Sequence, residues 1–391
     1  MFALNRVLLI VVFSMHGWLC FGPSAGAAET LLYVGTYTRG TDSEGIYVLR
    51  FDDATGAMEK LSVATGVENP SFLALHPSGR LLYCCDEVET YQGQPSGAVS
   101  GFAIDADTGA LTLLNRQATG GASPCHVCVD KSGRRVLAAA YSGGSVAELP
   151  IAMDASLGPA GVLGPPVTLL QHSGSSVDPA RQTSPHPHQV VLSPEDRFAL
   201  VPDLGLDQIV IYRFSPPEKG LRPSDARPAK SAPGAGPRHL AFHPNGRCAY
   251  VINELDLTID QFDYDAAAGV LTNRRTTATM PEGADRAGVS GAEIAVHPDG
   301  RTLYASLRGR DEIVVFRLDA ATGAPTLVQR MSTGGQTPRN FALDPSGKWL
   351  LAANQTSGSI VAFQIGDDGQ LQPTGETIDV PSPVCLVFRA P

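Results

Sequence analysis

One phrase recurs six times along the chain. It reads NPSFLALHPSG from Asn69 to Gly79, SPCHVCVDKSG from Ser123 to Gly133, and HPHQVVLSPED from His186 to Asp196. It returns as GPRHLAFHPNG from Gly236 to Gly246, SGAEIAVHPDG from Ser290 to Gly300, and TPRNFALDPSG from Thr337 to Gly347. Aligned on Pro70, Pro124, Pro187, Pro237, Gly291 and Pro338, neighbouring copies stand 47 to 63 residues apart. A unit of that length cannot bury its apolar face alone, so neighbours must stack around shared cores. The period is too long for most helical repeats.

Each phrase is followed by a turn (PSG, PNG, PDG), a β-rich run such as RCAYVINE or RTLYASLR, and a third run such as DEIVVFRLD. Asp105 to Gly109, Asp265 to Gly269 and Asp319 to Gly323 then mark another turn. Gly, Asp and Asn supply the positive φ and the side-chain-to-backbone bonds that tight hairpins need. Beyond the N-terminal leader no stretch keeps a 3.6-residue apolar period, so little helix is expected. Four strands at this period describe a propeller blade, and the chain reads as all-β.

The ends set the blade count. A partial seventh phrase, SPVCLVFRAP, begins at Ser382, while LLYVGTYTRG at Leu31 and GIYVLRFDDATG at Gly45 match a second and a third strand with no first strand before them. The Val384 to Phe388 run should therefore pair with Leu31 to Gly35 and close a seven-bladed β-propeller, removing the exposed edge that all-β folds must manage. Residues 29–391 are expected to form this single unit. Residues 1–28 read as a secretory signal: Arg6, an apolar run from Val7 to about Phe21, and Ala25 and Ala27 in an A-x-A arrangement. That apolar run is too short for a membrane span. An exported protein, periplasmic or secreted, is expected.

A net charge of −10 argues against a nucleic-acid or anionic-membrane surface, so no nucleic-acid partner and no membrane span in the mature chain are expected. Nothing in the sequence speaks to oligomeric state. Cys125 and Cys128 form a C-x-x-C, but an offset of three along a strand points them to opposite faces. No metal and no cofactor is expected.

In such a ring the start of each first strand and the end of each second strand share one mouth of the central channel. The first-strand starts are Cys125 and His126, His188 and Gln189, Arg238 and His239, Ala292 and Glu293, and Arg339 and Asn340. Second-strand ends add Tyr37, Asp86, Glu87, Tyr141, Asp203, Asn253, Glu254, Arg308, Asn354 and Gln355. Polar groups crowded into a narrow channel signal a site, because burying them unpaired is costly. His239 should alternate away from Arg238, and His76, His243 and His297 read as exposed hairpin caps at the opposite mouth. The Gly/Ser/Pro-rich run from Ser173 to Pro185 is long enough to fold over the site.

Taken together, GPRHLAFHPN with YVINELD, RQTSPHPHQV, TPRNFALDPSGKWLLAANQ and LYVGTYT resemble the bacterial lactonase family of seven-bladed propellers. That family includes propeller-type 6-phosphogluconolactonases and, as relatives, fungal carboxy-muconate lactonising enzymes. The likeness runs from about Leu31 to the end. It implies His188, Arg238, Glu254 and Arg308 as catalytic residues. The ring geometry and the Ser173 to Val190 approach add Arg181, His186, Gln189, Asp203, Asn253, Glu293, Arg339 and Asn340 as residues expected to bind a small-molecule lactone.

Lactone opening needs a base to activate water and a positive charge where the carbonyl oxygen turns anionic, and these residue types supply both. His188 and Glu254 are the base candidates, and Glu254→Gln is expected to remove basicity while sparing the fold. No G-x-S-x-G or H-E-x-x-H occurs, which disfavours covalent serine and zinc-peptidase chemistry. A muconate-type lactonising cycloisomerase and a non-catalytic binding propeller are the alternatives.

Overall fold

Proline can begin a strand at a sheet edge, where its missing N–H costs no ladder bond. Pro70, Pro124, Pro237, Pro338 and Pro383 each do so, opening the innermost strand of a sheet. The computed structural model describes residues 29–153, 160–214 and 220–389. The leader lies outside them. All elements described are strands, arranged as seven antiparallel sheets in a ring.

Blade 1 combines Pro383–Arg389, Glu29–Thr36, Gly45–Asp52 and Met58–Thr65. Blades 2 to 7 follow in chain order, with inner strands Pro70–Leu75, Pro124–Val129, Val191–Leu192, Pro237–Phe242, Ser290–Val296 and Pro338–Leu343. The predicted closure is present: Leu31 pairs with Arg389, Tyr33 with Val387 and Gly35 with Cys385.

The core is distributed as seven apolar clusters, each shared by two neighbouring blades. Blades 5 and 6 enclose Ile252, Ile259, Leu303 and Phe316, while blades 7 and 1 enclose Trp349, Leu351, Phe51 and Leu386. Polar clasps repeat alongside them. Tyr33, Tyr83, Tyr250 and Tyr304 donate their hydroxyls to the carbonyls of Gly109, Gly161, Gly323 and Gly369 in the next blade.

The turn histidines differ from expectation. Nδ1 of His76 and His243 accepts an N–H of its own turn, as a cap should, while Nδ1 of His297 lies 2.9 Å from Asp299 Oδ1. In all three Nε2 meets a carbonyl oxygen, which can only accept, so Nε2 carries a proton and donates to Gly133, Gly300 and Gly347 of the following blade at 3.0, 2.9 and 2.7 Å. The H-P-x-G turns thus tie blades together, and His76 is buried rather than exposed.

Candidate active site

The mouth is built by a local device that recurs in the inner strands. The residue before the strand-opening proline is left-handed at Asn69, Ser123, Gly236, Thr337 and Ser382, with φ of 47, 52, 67, 62 and 47°. Only Gly236 takes this conformation without strain. The carbonyl of each accepts the N–H of the residue just past the second strand: Glu87, Tyr141, Glu254, Gln355 and Tyr37 respectively. A β-bulge follows, with register shifts at Pro124/His126, Pro237/His239 and Pro338/Asn340. A bulge breaks the two-residue alternation of side chains. Arg238 and His239 therefore both face the channel, and the expectation that His239 points away is corrected.

Glu254 is the hub. Its Oε2 accepts Arg238 Nε at 3.1 Å and Arg308 Nη2 at 2.9 Å, and its Oε1 accepts Arg181 Nη2 at 2.6 Å. Burial by itself would raise its pKa, but Arg308, Arg238 and Arg181 outweigh burial and hold the carboxyl at about 2. Arg238 is 2% exposed and also donates to the Ala292 carbonyl. Burial, with Arg308 and Arg339 nearby, lowers it to about 10. Arg181 comes from the Ser173 to Pro185 run, placing that segment at this mouth, and its second partner is Tyr141 Oη at 3.3 Å.

The facing wall holds Tyr37, Glu87 and Arg339. Tyr37 Oη donates to both Glu87 oxygens at 3.0 Å, and the Arg339 guanidinium lies over the Tyr37 ring at 5.4 Å. Arg339 makes no hydrogen bond or ion pair with any described residue. Between the walls lies a cavity of about 180 Å³ lined by Glu87, Cys125, Tyr141, Arg181, His188, Glu254, Arg308 and Arg339. Size alone does not select it. A recess of about 580 Å³ between blades 1 and 2 is larger, but its charged residues Arg50, Asp107 and Arg389 are all partly or fully exposed.

His188 lines the cavity, edge-on to Tyr141, with its Nδ1 3.9 Å from Cys125 Sγ. Burial, then Arg238, keeps its ring neutral. Burial also pushes the Cys125 thiol up, so no thiolate nucleophile stands here.

His188, Arg238, Glu254 and Arg308 converge with Arg181 and Arg339, and Glu293 and Asn340 line the channel just beneath. Four expected binding residues do not reach the cavity. Asp203 accepts His172 Nδ1 at 2.6 Å, at the end of the outer strand of the preceding blade, and Asn253 donates to Thr258 and Asp260 inside its own blade. Gln189 accepts the Leu240 N–H of the next blade, and His186 stacks behind Tyr141. For Asp203 and Asn253 the reason is parity: the residue paired with the strand-opening position, Pro187 or Pro237, turns away from the mouth, and the one after it can face the mouth. The same register puts Tyr37, Glu87, Tyr141 and Arg308 at the mouth; the first three stood among the second-strand ends in the sequence, and the resemblance gave them no role.

A seven-bladed propeller with a buried cationic mouth of this kind is a lactonase-type propeller. Residues 31–388 match the family described as Lactonase, 7-bladed beta-propeller, and the chain belongs to it. It is 36% identical to the 6-phosphogluconolactonase of Bacillus subtilis, covering 91% of this chain and 97% of that protein. The 6-phosphogluconolactonase of Formosa agariphila is 33% identical over 87% of this chain and 94% of its own. The structure of the periplasmic gluconolactonase of Pseudomonas aeruginosa superposes with a TM-score of 0.85 at 36% identity, covering 93% and 99% of the two chains.

Proposed function

We propose that this protein hydrolyses a sugar-acid lactone in the cavity between Glu254 and Arg339. The observation that carries the reading is a mouth whose cations outnumber its anions and are not all spent on one another. Glu254 occupies three guanidiniums, but Arg339, which lies over the Tyr37 ring, has no hydrogen-bond or ion-pair partner among the described residues, and Arg308 Nε is buried without a hydrogen-bond partner among them. Free guanidinium N–H groups in a site shielded from water suit a developing oxyanion or a substrate carboxylate or phosphate. Glu254, with its depressed pKa, is a weak base and serves better as the anchor of the arginines. The proton of the attacking water then falls to a neutral imidazole. Among the described residues no large aromatic side chain is strongly exposed, which removes the usual mark of a binding propeller.

The test is a panel of neutral, carboxylated and phosphorylated aldonolactones, with a carboxy-muconate included to detect lactonisation. Arg339→Ala is expected to raise KM about 10- to 100-fold for anionic lactones and far less for neutral ones, since a hydrogen bond to a charged group contributes about 1.5–3 kcal/mol. A wild-type protein that opens none of the panel would falsify the reading.

Export is part of the same proposal, supported by the signal-like leader and by the periplasmic relative. It favours an outer-compartment aldono- or uronolactone over a phosphorylated cytosolic one. N-terminal sequencing of the native protein should begin near Ala28 or Glu29. Recovery of an intact Met1 terminus from the cytoplasm would refute export.

A further inference from the structure

Beneath the cavity, and continuous with it through Glu87, Cys125, His188 and Arg339, the channel narrows to a pocket of about 10 Å³. That is roughly the room one water molecule needs. The walls of this pocket are unusual in their polar bookkeeping. His239 and Ser71 both line it, and both are almost fully buried. His239 Nε2 and Ser71 Oγ have no hydrogen-bond partner among the described residues. Buried polar atoms are rarely left unsatisfied, so two that open on one small pocket mark a place where a polar molecule is held.

The other nitrogen of His239 is firmly committed. Its Nδ1 lies 3.0 Å from Glu293 Oε1, and Glu293 is itself fixed by Asn340 Nδ2 at 2.6 Å and by the Ile294 N–H at 3.0 Å. Burial would raise the Glu293 pKa, but His239 and Arg238 outweigh it and keep it lowered, so the carboxylate is ionised and can only accept. His239 must then carry its proton on Nδ1, which leaves a lone pair on Nε2. A carboxylate that fixes the tautomer and orientation of an imidazole is the arrangement by which a histidine becomes a general base. His188 has no such partner: the neighbour of its Nδ1 is a thiol at 3.9 Å.

We infer that His239, oriented by Glu293, is the general base, and that the pocket beneath the mouth holds the water that attacks the lactone from below. The inference rests on the lactone-hydrolase reading. His239 Nε2 takes a proton from the water as its oxygen bonds to the carbonyl carbon, and the carbonyl π pair moves to the oxygen facing the arginines. As the tetrahedral species collapses, the bond to the ring oxygen breaks and that oxygen takes the proton back from His239. The product is the open hydroxy acid, which loses its acid proton to solvent. Glu293 stays ionised and steadies the transient imidazolium. His188, packed edge-on at 5.2 Å from His239, walls the pocket without taking the proton.

The groups facing His239 are Glu293, His126, His188, Arg238 and Arg339. Burial and the two arginines favour its neutral form and Glu293 opposes them, with a net lowering. Activity should therefore hold through neutral pH and fail only on the acid side. On a lactone that the wild type opens, His239→Gln is expected to lower kcat by about 10²–10⁴ with KM little changed, and to replace the neutral plateau by a rate that climbs with hydroxide. Glu293→Gln should reproduce the kcat loss. Nitrogen-resolved NMR of the wild-type imidazoles should show the Nδ1–H tautomer at His239, a readout that survives any folding defect in the variants.

Three results overturn the inference. They are a folded His239→Gln with wild-type kcat, loss of the acid limb in His188→Gln but not in His239→Gln, and an Nε2–H tautomer at His239. A wild type that opens no lactone is a different failure: it removes the reading beneath the inference and the inference with it.

Discussion

Glu254→Gln should cut turnover by about two orders of magnitude or more and also cost the fold about 3–5 kcal/mol, the range for removing one partner of a buried ion pair. Both effects have one cause. The carboxylate holds Arg238, Arg308 and Arg181 at 3.1, 2.9 and 2.6 Å, and it is 4% exposed. A glutamine keeps the shape but removes the charge, and its amide group presents donors to guanidiniums that are donors already. The arginines then repel one another and lose the placement that serves the oxyanion. Sequence reasoning gave Glu254 a base role and expected little change in melting temperature, whereas the three-way clamp makes it a positioning group with a stability cost. Steady-state kinetics and denaturant unfolding of the variant together check this. Unchanged values of both would sink it.

The same carboxylate sets a pH dependence. Its folded-state pKa of about 2 lies below the ordinary value of 4.5. A group with a depressed folded pKa contributes stability that is full above the unfolded value and is lost as pH falls through the folded one. The contribution of the clamp should therefore be complete above about pH 4.5 and fade between there and about pH 2.

Deleting residues 382–391 should abolish cooperative folding. The lost strand carries Leu386, buried between blades 7 and 1, Cys385, buried between blades 1 and 2, and Val384, buried against the channel, and burial of a Val or Leu side chain contributes roughly 1.5–3 kcal/mol. It also carries two inter-blade bonds: the Leu386 N–H to Asn340 Oδ1 at 2.9 Å, and Cys385 Sγ accepting the Leu73 N–H at 3.4 Å. Those losses approach the ~5–15 kcal/mol by which a typical domain is stable. What remains is Glu29–Thr36 as a bare inner edge, open to pairing with other chains. Circular dichroism melts and size-exclusion chromatography of the truncated chain should show no sharp transition and extensive association. An unchanged melting curve would contradict the closure argument.

The ring was legible before any coordinates because a propeller is written locally. A phrase every 47 to 63 residues, turn residues between short apolar runs, and complementary deficits at Leu31 and Ser382 are one-dimensional signals, and they determine blade number and closure. The mouth was legible in outline, since strand direction alone places Arg238, Glu254, Arg308 and Arg339 at the same end. Which way each side chain turns was decided only in three dimensions. The left-handed Gly236 sets up a bulge that breaks strand parity and brings His239 into the channel beside Arg238, and the strand register decides that Glu254 and Arg308 face the mouth while Asn253 turns away. Partnership was likewise a tertiary matter. Residues 73 apart in sequence, Arg181 and Glu254, meet at 2.6 Å, while Arg339 lies over the Tyr37 ring with no ion-pair partner among the described residues. Sequence spacing carries strand direction and repeat length, but the net field at a buried carboxylate or imidazole is a sum over blades, and only the closed ring fixes that sum.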